Sequence, residues 1–213
     1  MKHILLNQLD SEIHAIIDGL KQEQALTLAG LSISRLWIPF EKWAIENKAP
    51  KLIEWGETCF NTLWDQINLE KLYGQGFEKY HKCLNRINAK MDWLEDKEIV
   101  IEGNPANPFL DSLGSALCCF FDPKLLPGLR RTSFGARITT IVEQGAEYIY
   151  DNVLDNAGNI NENDLIVLVE SDPRWMAECQ RIKGDVAFLK AHFEDKATIL
   201  KQREIYMQMN IFS

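Results

Sequence analysis

Four histidines, His3, His14, His81 and His192, and five cysteines, Cys59, Cys83, Cys118, Cys119 and Cys179, are the side chains of this sequence best suited to metal binding or nucleophilic attack. Their spacing serves neither. Glu78 and His81 make one Glu-x-x-His pair, which in di-iron bundles sets two ligands on one helix face, but such a site needs a second pair and two further inward glutamates. No second pair occurs. The cysteines are odd in number, form no CxxC, and each stands inside an apolar helical pattern, which fits a reducing compartment and buried free thiols. Vicinal Cys118 and Cys119 read as core packing, since a free cysteine behaves as a small apolar side chain.

Other catalytic and ligand-binding patterns fail on inspection. Read as a calcium loop from Asp155, the segment DNAGNINENDLI has Ala157 at position three, Ile160 where the turn needs glycine, and Ile166 where the bidentate glutamate belongs. No G-x-S-x-G elbow is present, and neither phosphate-binding glycine pattern occurs. The sequence therefore offers no catalytic residue, no metal-ligand set and no cofactor motif. Enzymatic chemistry would need polar groups on otherwise buried helix faces, and Glu57, Arg137 and Glu143 are the positions where these would fall.

Charge is more informative. The formal net charge is -8, so the surface as a whole repels phosphate backbones and direct nucleic-acid binding is not expected. The segment from Asp151 to Asp172 holds Asp151, Asp155, Glu162, Asp164, Glu170 and Asp172 and not one Lys or Arg. A second acidic patch comprises Asp92, Glu95, Asp96, Glu98 and Glu102, whereas Lys124, Arg130, Arg131 and Arg137 mark a basic interval. One reading is a solvated face that keeps the protein in solution. The other is an acidic docking surface that draws in a basic partner.

The elements that must carry these residues read as helices. The stretch Asn107 to Asp122, NPFLDSLGSALCCFFD, is apolar almost all round, with Asn107 as its cap and Pro108 in its first turn. Such a helix must be wrapped by others. A leading helix over 2–20, with a cap at Ser11, is followed by a segment from Gln22 to Asn47 in which Pro39 predicts a kink or break near Leu36 to Pro39. Pro50 opens a helix to about Ile67. A more polar helical stretch spans Glu70 to Leu94, with Ile99 to Ile101 tacking a loop to the core. Ser133 is expected to cap a helix to about Asn156, with Ile138, Ile141, Val142, Gly145, Ile149 and Val153 inward. DNAGNINEND reads as a loop, and LIVLV from Leu165 to Val169 is ambiguous between strand and helix. Asp172 and Pro173 open a long helix to about Met209, with a stripe of Trp175, Cys179, Ile182, Val186, Leu189, Phe193, Ala197 and Leu200. Of six tryptophans, Trp37, Trp55 and Trp175 fall on buried faces, and Trp43 and Trp93 are less well placed.

The run SRLWIPFEKWA from Ser34 to Ala44, with its arginine, proline and aromatics, and FNTLWDQI around Leu63 and Trp64 resemble segments of a bacterial helical family of unknown function typified by the enterobacterial YjaG protein. The order of a central apolar helix, a polar helix and a long C-terminal helix is also similar, while the stretch around 70 to 104 departs from that pattern. The resemblance implies a bacterial, cytoplasmic, all-helical protein and assigns no activity or catalytic residue.

These readings combine into a single all-α domain over 1–213, a bundle of roughly seven or eight helices packed round 107–122. No leader pattern opens the chain, and no apolar run reaches the roughly 20 residues that span a bilayer, so a soluble cytoplasmic protein is expected. The functional expectation is a non-catalytic protein-binding module, specifically a bacterial immunity protein that neutralises a basic toxin through Asp151, Asp155, Glu162, Asp164, Glu170 and Asp172. An enzyme or small-ligand protein with a pocket inside the bundle is the alternative, and a self-associating structural protein the third.

Overall fold

The computed structural model describes residues 4–68, 106–121, 131–158 and 160–211, with single helical positions at 82, 85, 86 and 89. Every regular element among them is a helix: α1 (Ile4–Asp18), α2 (Gln22–Arg35), α3 (Trp37–Glu46), α4 (Pro50–Asn68), α5 (Ala106–Phe121), α6 (Arg131–Ala157), α7 (Glu162–Ser171), α8 (Pro173–His192) and α9 (Lys196–Met207). They share one apolar core, which makes the chain an all-α bundle. Apart from positions 82, 85, 86 and 89, the expected polar helix over 70–94 lies outside the described residues, as do the acidic patch at 92–102, Ile99 to Ile101, Glu78, His81, Cys83, Trp93, Lys124 and Arg130.

Proline sets the break between α2 and α3. Pro39 has no N–H to give to the Arg35 carbonyl, so α2 cannot run on through it. Leu36 N–H instead donates to the Ile33 carbonyl at 3.0 Å, and the chain restarts as α3 at Trp37. The turn delivers Trp37 and Phe40 to an aromatic cluster with Phe60 on α4 and Phe109 on α5. The Phe40 and Phe109 rings stack with centroids 4.4 Å apart, and Trp37 meets Phe109 edge-on at 5.5 Å.

Helix α5 is buried as its composition requires, against α2, α3, α4 and α6. Its start differs in detail. It begins at Ala106, so Asn107 lies inside the first turn rather than capping it, and its buried Oδ1 has no hydrogen-bond partner among the described residues. Helix α2 shares the centre: every residue from Ala25 to Arg35 is buried, although Thr27, Ser32, Ser34 and Arg35 are polar. Small side chains let it sit close to its neighbours. A Cβ on Gly30 would lie 2.8 Å from Ile67 Cδ1 and 3.1 Å from Trp64 Cζ2.

Three expected caps and boundaries shift. Ser11 sits inside α1 and its hydroxyl donates to the Asn7 carbonyl at 2.8 Å, a bond within the helix rather than a cap. Ser133 likewise falls inside α6, which starts at Arg131. Helix α6 runs on to Ala157, so Asp155 and Asn156 are helical, and the turn contracts to the residues around Gly158, whose φ of 65° suits glycine. LIVLV resolves as helix: α7 is capped by Asn161, whose Oδ1 accepts from the Asp164 N–H at 3.0 Å.

The C-terminal helix is two helices. Asp172 and Pro173 do open α8, with Asp172 Oδ1 accepting from the Arg174 N–H at 2.8 Å. The helix stops at His192. Asp195 then caps α9 by accepting from both the Thr198 N–H and its hydroxyl, and beyond the turn the buried positions become Ile199 and Tyr206. Ala197, on the expected stripe, is exposed.

Candidate functional site

Two places on this scaffold concentrate polar chemistry. The first is inside it. Arg35, the last residue of α2, is 0% exposed, and Glu178 and Asp185 of α8 are 1% and 2% exposed. Arg35 Nη2 lies 2.9 Å from Glu178 Oε1, Nε donates to the same oxygen at 3.0 Å, and Nη1 pairs with Asp185 Oδ2. Ser32 Oγ accepts from Nη2 at 3.2 Å. From α9, the Tyr206 hydroxyl donates to Asp185 Oδ1, and the Arg35 guanidinium carbon stands 5.1 Å from the Tyr206 ring centroid. Arg181 at the edge reaches Glu178 Oε2 at 3.2 Å. Gly145 of α6 leaves room for the Glu178 carboxylate, since a Cβ there would lie 3.0 Å from Oε1.

The electrostatics follow from one cation facing two carboxylates in the interior. Burial works against the Arg35 charge, but Glu178 and Asp185 together outweigh it and hold the guanidinium firmly protonated. Burial also raises the Asp185 carboxyl above its usual range, against the pull of Arg35 and Tyr206. Tyr206 is pushed up to about 12 by burial and by the Asp185 charge. Each group is therefore committed to another, and the cluster clamps α2, α8 and α9 together.

The second place is the surface formed by the end of α6 and by α7. Asp151 and Asp155 on α6, and Glu162, Asp164 and Glu170 on α7, are exposed. Tyr150 brings two of them into one neighbourhood: burial, then the charges of Asp151 and Glu162, push its hydroxyl up to about 12. Asp164 Oδ2 accepts from Asn161 Nδ2 at 2.6 Å and so helps to form the cap. Asp172 differs from the rest. It is half-buried, caps α8, and pairs with Arg174 Nη2 at 2.7 Å. The hydrogen bond from Arg174 holds its carboxyl below the usual range despite burial. Between the surface acids, Val167 and Leu168 stand 63% and 44% exposed.

Comparison of the chain with family models, with curated proteins and with solved structures finds no match. Function must be argued from these two places.

Of the buried-face positions singled out in the sequence, Glu57 and Arg137 are exposed and Glu143 is 0% exposed. The sequence reading passed over Glu178, Asp185 and Tyr206, and met Arg35 only as part of a resemblance. Their signal was nevertheless present: Trp175, Glu178, Ile182, Asp185 and Leu189 follow steps of three and four, so both acids occupy the inward seam of α8.

A relay of Asp18, His14 and Thr139 has the order of a hydrolase triad but not its polarity. The Thr139 hydroxyl donates to the Gly135 carbonyl at 2.9 Å, so at its 3.3 Å contact with His14 Nδ1 it acts as an acceptor. His14 Nε2 is 3.9 Å from Asp18, beyond hydrogen-bond reach. No group of three His, Cys, Asp or Glu among the described residues has the arrangement of a metal site. Cys59, Cys118, Cys119 and Cys179 are not in disulfides. No described helix is long and apolar enough to cross a membrane.

Proposed function

We propose that this protein is a non-catalytic protein-binding module, an immunity protein that neutralises a basic toxin through its acidic surface. The observation that carries the reading is the exposure of Asp151, Asp155, Glu162, Asp164 and Glu170 across α6 and α7, in a stretch with no Lys or Arg. A field of one sign steers an oppositely charged partner and raises its association rate. A toxin that acts on nucleic acid is basic where it binds phosphate, and carboxylates can occupy that surface in its place. Asp172 is no longer counted among the contacts, because Arg174 already neutralises it.

The alternative is an enzyme or small-ligand protein built on the buried cluster. Arg35, Glu178, Asp185 and Tyr206 satisfy one another there, which is the behaviour of a structural clamp. The resemblance to the YjaG-type family contributes an expectation of bacterial origin and no activity.

The test is affinity purification of the tagged protein from its native host at low salt, with identification of what accompanies it. A stoichiometric basic partner released by high salt, and lost when Asp155, Glu162 and Asp164 are replaced by Lys, supports the reading. A partner whose affinity ignores both salt and charge reversal overturns it. Stabilisation on heating by a nucleotide or metal, without any protein partner, favours the small-ligand alternative.

A further inference from the structure

Resting on that reading, we propose that the outward ridge of α7 is the centre of the contact and that its occupant is a basic amphipathic helix of the partner protein. Leu165 and Val169 turn inward and are buried. With 3.6 residues per turn, the opposite side of the helix then carries Asn163, Val167 and Ser171 in one row, with Asp164 and Leu168 in the next. Val167 at 63% and Leu168 at 44% exposure make an apolar centre on this ridge.

Shape and charge point to the same occupant. The residues beside Val167 along the ridge are short, so a second helix can approach to the usual interaxial distance of about 8–10 Å. Glu162 and Glu170 lie in the row on one side of Val167, and Asp164 stands with Leu168 in the row on the other, all exposed. A helix lying along α7 thus meets Val167 and Leu168 with one carboxylate in the row of Leu168 and two in the row beside Val167. Its complement is an amphipathic helix whose apolar residues are accompanied by Lys or Arg, so that charges pair beside the apolar contact. A phosphate backbone would be repelled, and a purely basic tail would leave Val167 and Leu168 wet. The ridge is also held in advance, by the Asn161 cap before it and the Asp172 turn after it, so little ordering is required on this side of the contact.

Two synthetic peptides of equal charge distinguish apolar from purely electrostatic docking: one of Leu and Lys in helical spacing, the other of Lys alone. Each is titrated at low salt into the isotope-labelled full-length protein, and binding is followed by amide and methyl shifts. The expected result is shifts centred on Val167 and Leu168, at least about tenfold tighter binding of the amphipathic peptide, and loss of that advantage in the double variant Val167→Ser, Leu168→Ser. Glu162→Gln with Glu170→Gln should weaken both peptides. Equal affinity for the two peptides, or shifts confined to α6, overturns the ridge as the contact while leaving the acidic-surface reading in place. Binding of neither peptide overturns both.

Discussion

Arg35 closes α2 and Asp185 lies in the middle of α8, yet the Arg35 guanidinium and the Asp185 carboxylate meet in the core with both side chains almost wholly hidden from solvent. Glu178 shares the same guanidinium, and Tyr206 brings α9 to the same carboxylate. One cation thus ties three helices. Because Arg181 still reaches Glu178, its removal would leave Asp185 as the buried charge without a cation.

Arg35→Ala should therefore cost about 3–5 kcal/mol of stability, the range found when one partner of a buried ion pair is removed. Arg35→Lys should recover only part of this, since an ammonium cannot reproduce the fork that reaches Glu178, Asp185 and Ser32 together. Replacing the whole group, Arg35→Met with Glu178→Met and Asp185→Leu, should cost much less than Arg35→Ala, because no desolvated charge remains. Urea unfolding of the three variants checks the order. If Arg35→Ala proved no worse than the triple replacement, the clamp would contribute little to the fold.

How far this arrangement was legible depends on which signal each residue carried. Pro39 announced the break after Arg35 because a missing N–H has one local consequence. The inward face of α6 was legible too, as Ile138, Ile141, Val142 and Ile149 are apolar and regularly spaced. Glu178 and Asp185 were hidden because a stripe chosen by apolarity passes over acids, although their steps of three and four match those of Trp175, Ile182 and Leu189. The break before α9 was masked in a different way. Phe193, Ala197 and Leu200 continue the spacing of α8, and only the local competition of Asp195 for the Thr198 N–H ends the helix. The exposed acids were read from charge alone, but Val167 and Leu168 belonged to a run ambiguous between strand and helix, and only the burial of Leu165 and Val169 fixed which side of α7 faces inward.

Two carboxylates of α8 and its cap should give opposite pH dependences. The Arg174 hydrogen bond lowers Asp172 below its ordinary 3.8, so the unfolded chain binds more protons there. Its contribution is present above that value and is lost as pH falls through the folded value. Burial raises Asp185 above 3.8, so the folded state binds more protons, and its contribution is present below that value and lost as pH rises through the folded one. The stability difference between wild type and Asp172→Asn should grow from pH 2 to neutrality by about 1 kcal/mol, the scale of a cap with an ion pair. The difference for Asp185→Asn should instead shrink as pH rises past about 4. Parallel slopes for the two variants would contradict this assignment.

Gly30 and Gly184 occupy helices of opposite surroundings. A Cβ at Gly30 meets Ile67 Cδ1 at 2.8 Å and the Trp64 ring at 3.1 Å, whereas one at Gly184 meets nothing within 4 Å. Gly184→Ala should stabilise by about 0.5–1 kcal/mol, the helix-propensity difference between the two residues. Gly30→Ala gains the same propensity but forces α2 from α4, where overpacking costs about 1–3 kcal/mol, so its net effect should be destabilising. Thermal melts of the two single variants should move in opposite directions.

Cys179 tests the surroundings of the clamp without altering them. Its thiol is pushed up to about 11, first by burial and then by the neighbouring Glu178 charge. Part of the side chain reaches the surface, so access alone would not stop a small alkylating reagent. The thiolate is the reacting form, and at pH 8 a thiol of this kind is ionised about one time in a thousand, against roughly one in ten for a cysteine at the ordinary 9.0. Iodoacetamide should therefore modify Cys179 about a hundredfold more slowly in the folded protein than in urea, as read by mass spectrometry of the peptide that carries it. The folded rate should also rise about tenfold for each pH unit between 8 and 10, because the thiolate fraction does. A folded-state rate equal to that in urea, or one flat with pH, would mean that Cys179 does not feel the interior acid beside it.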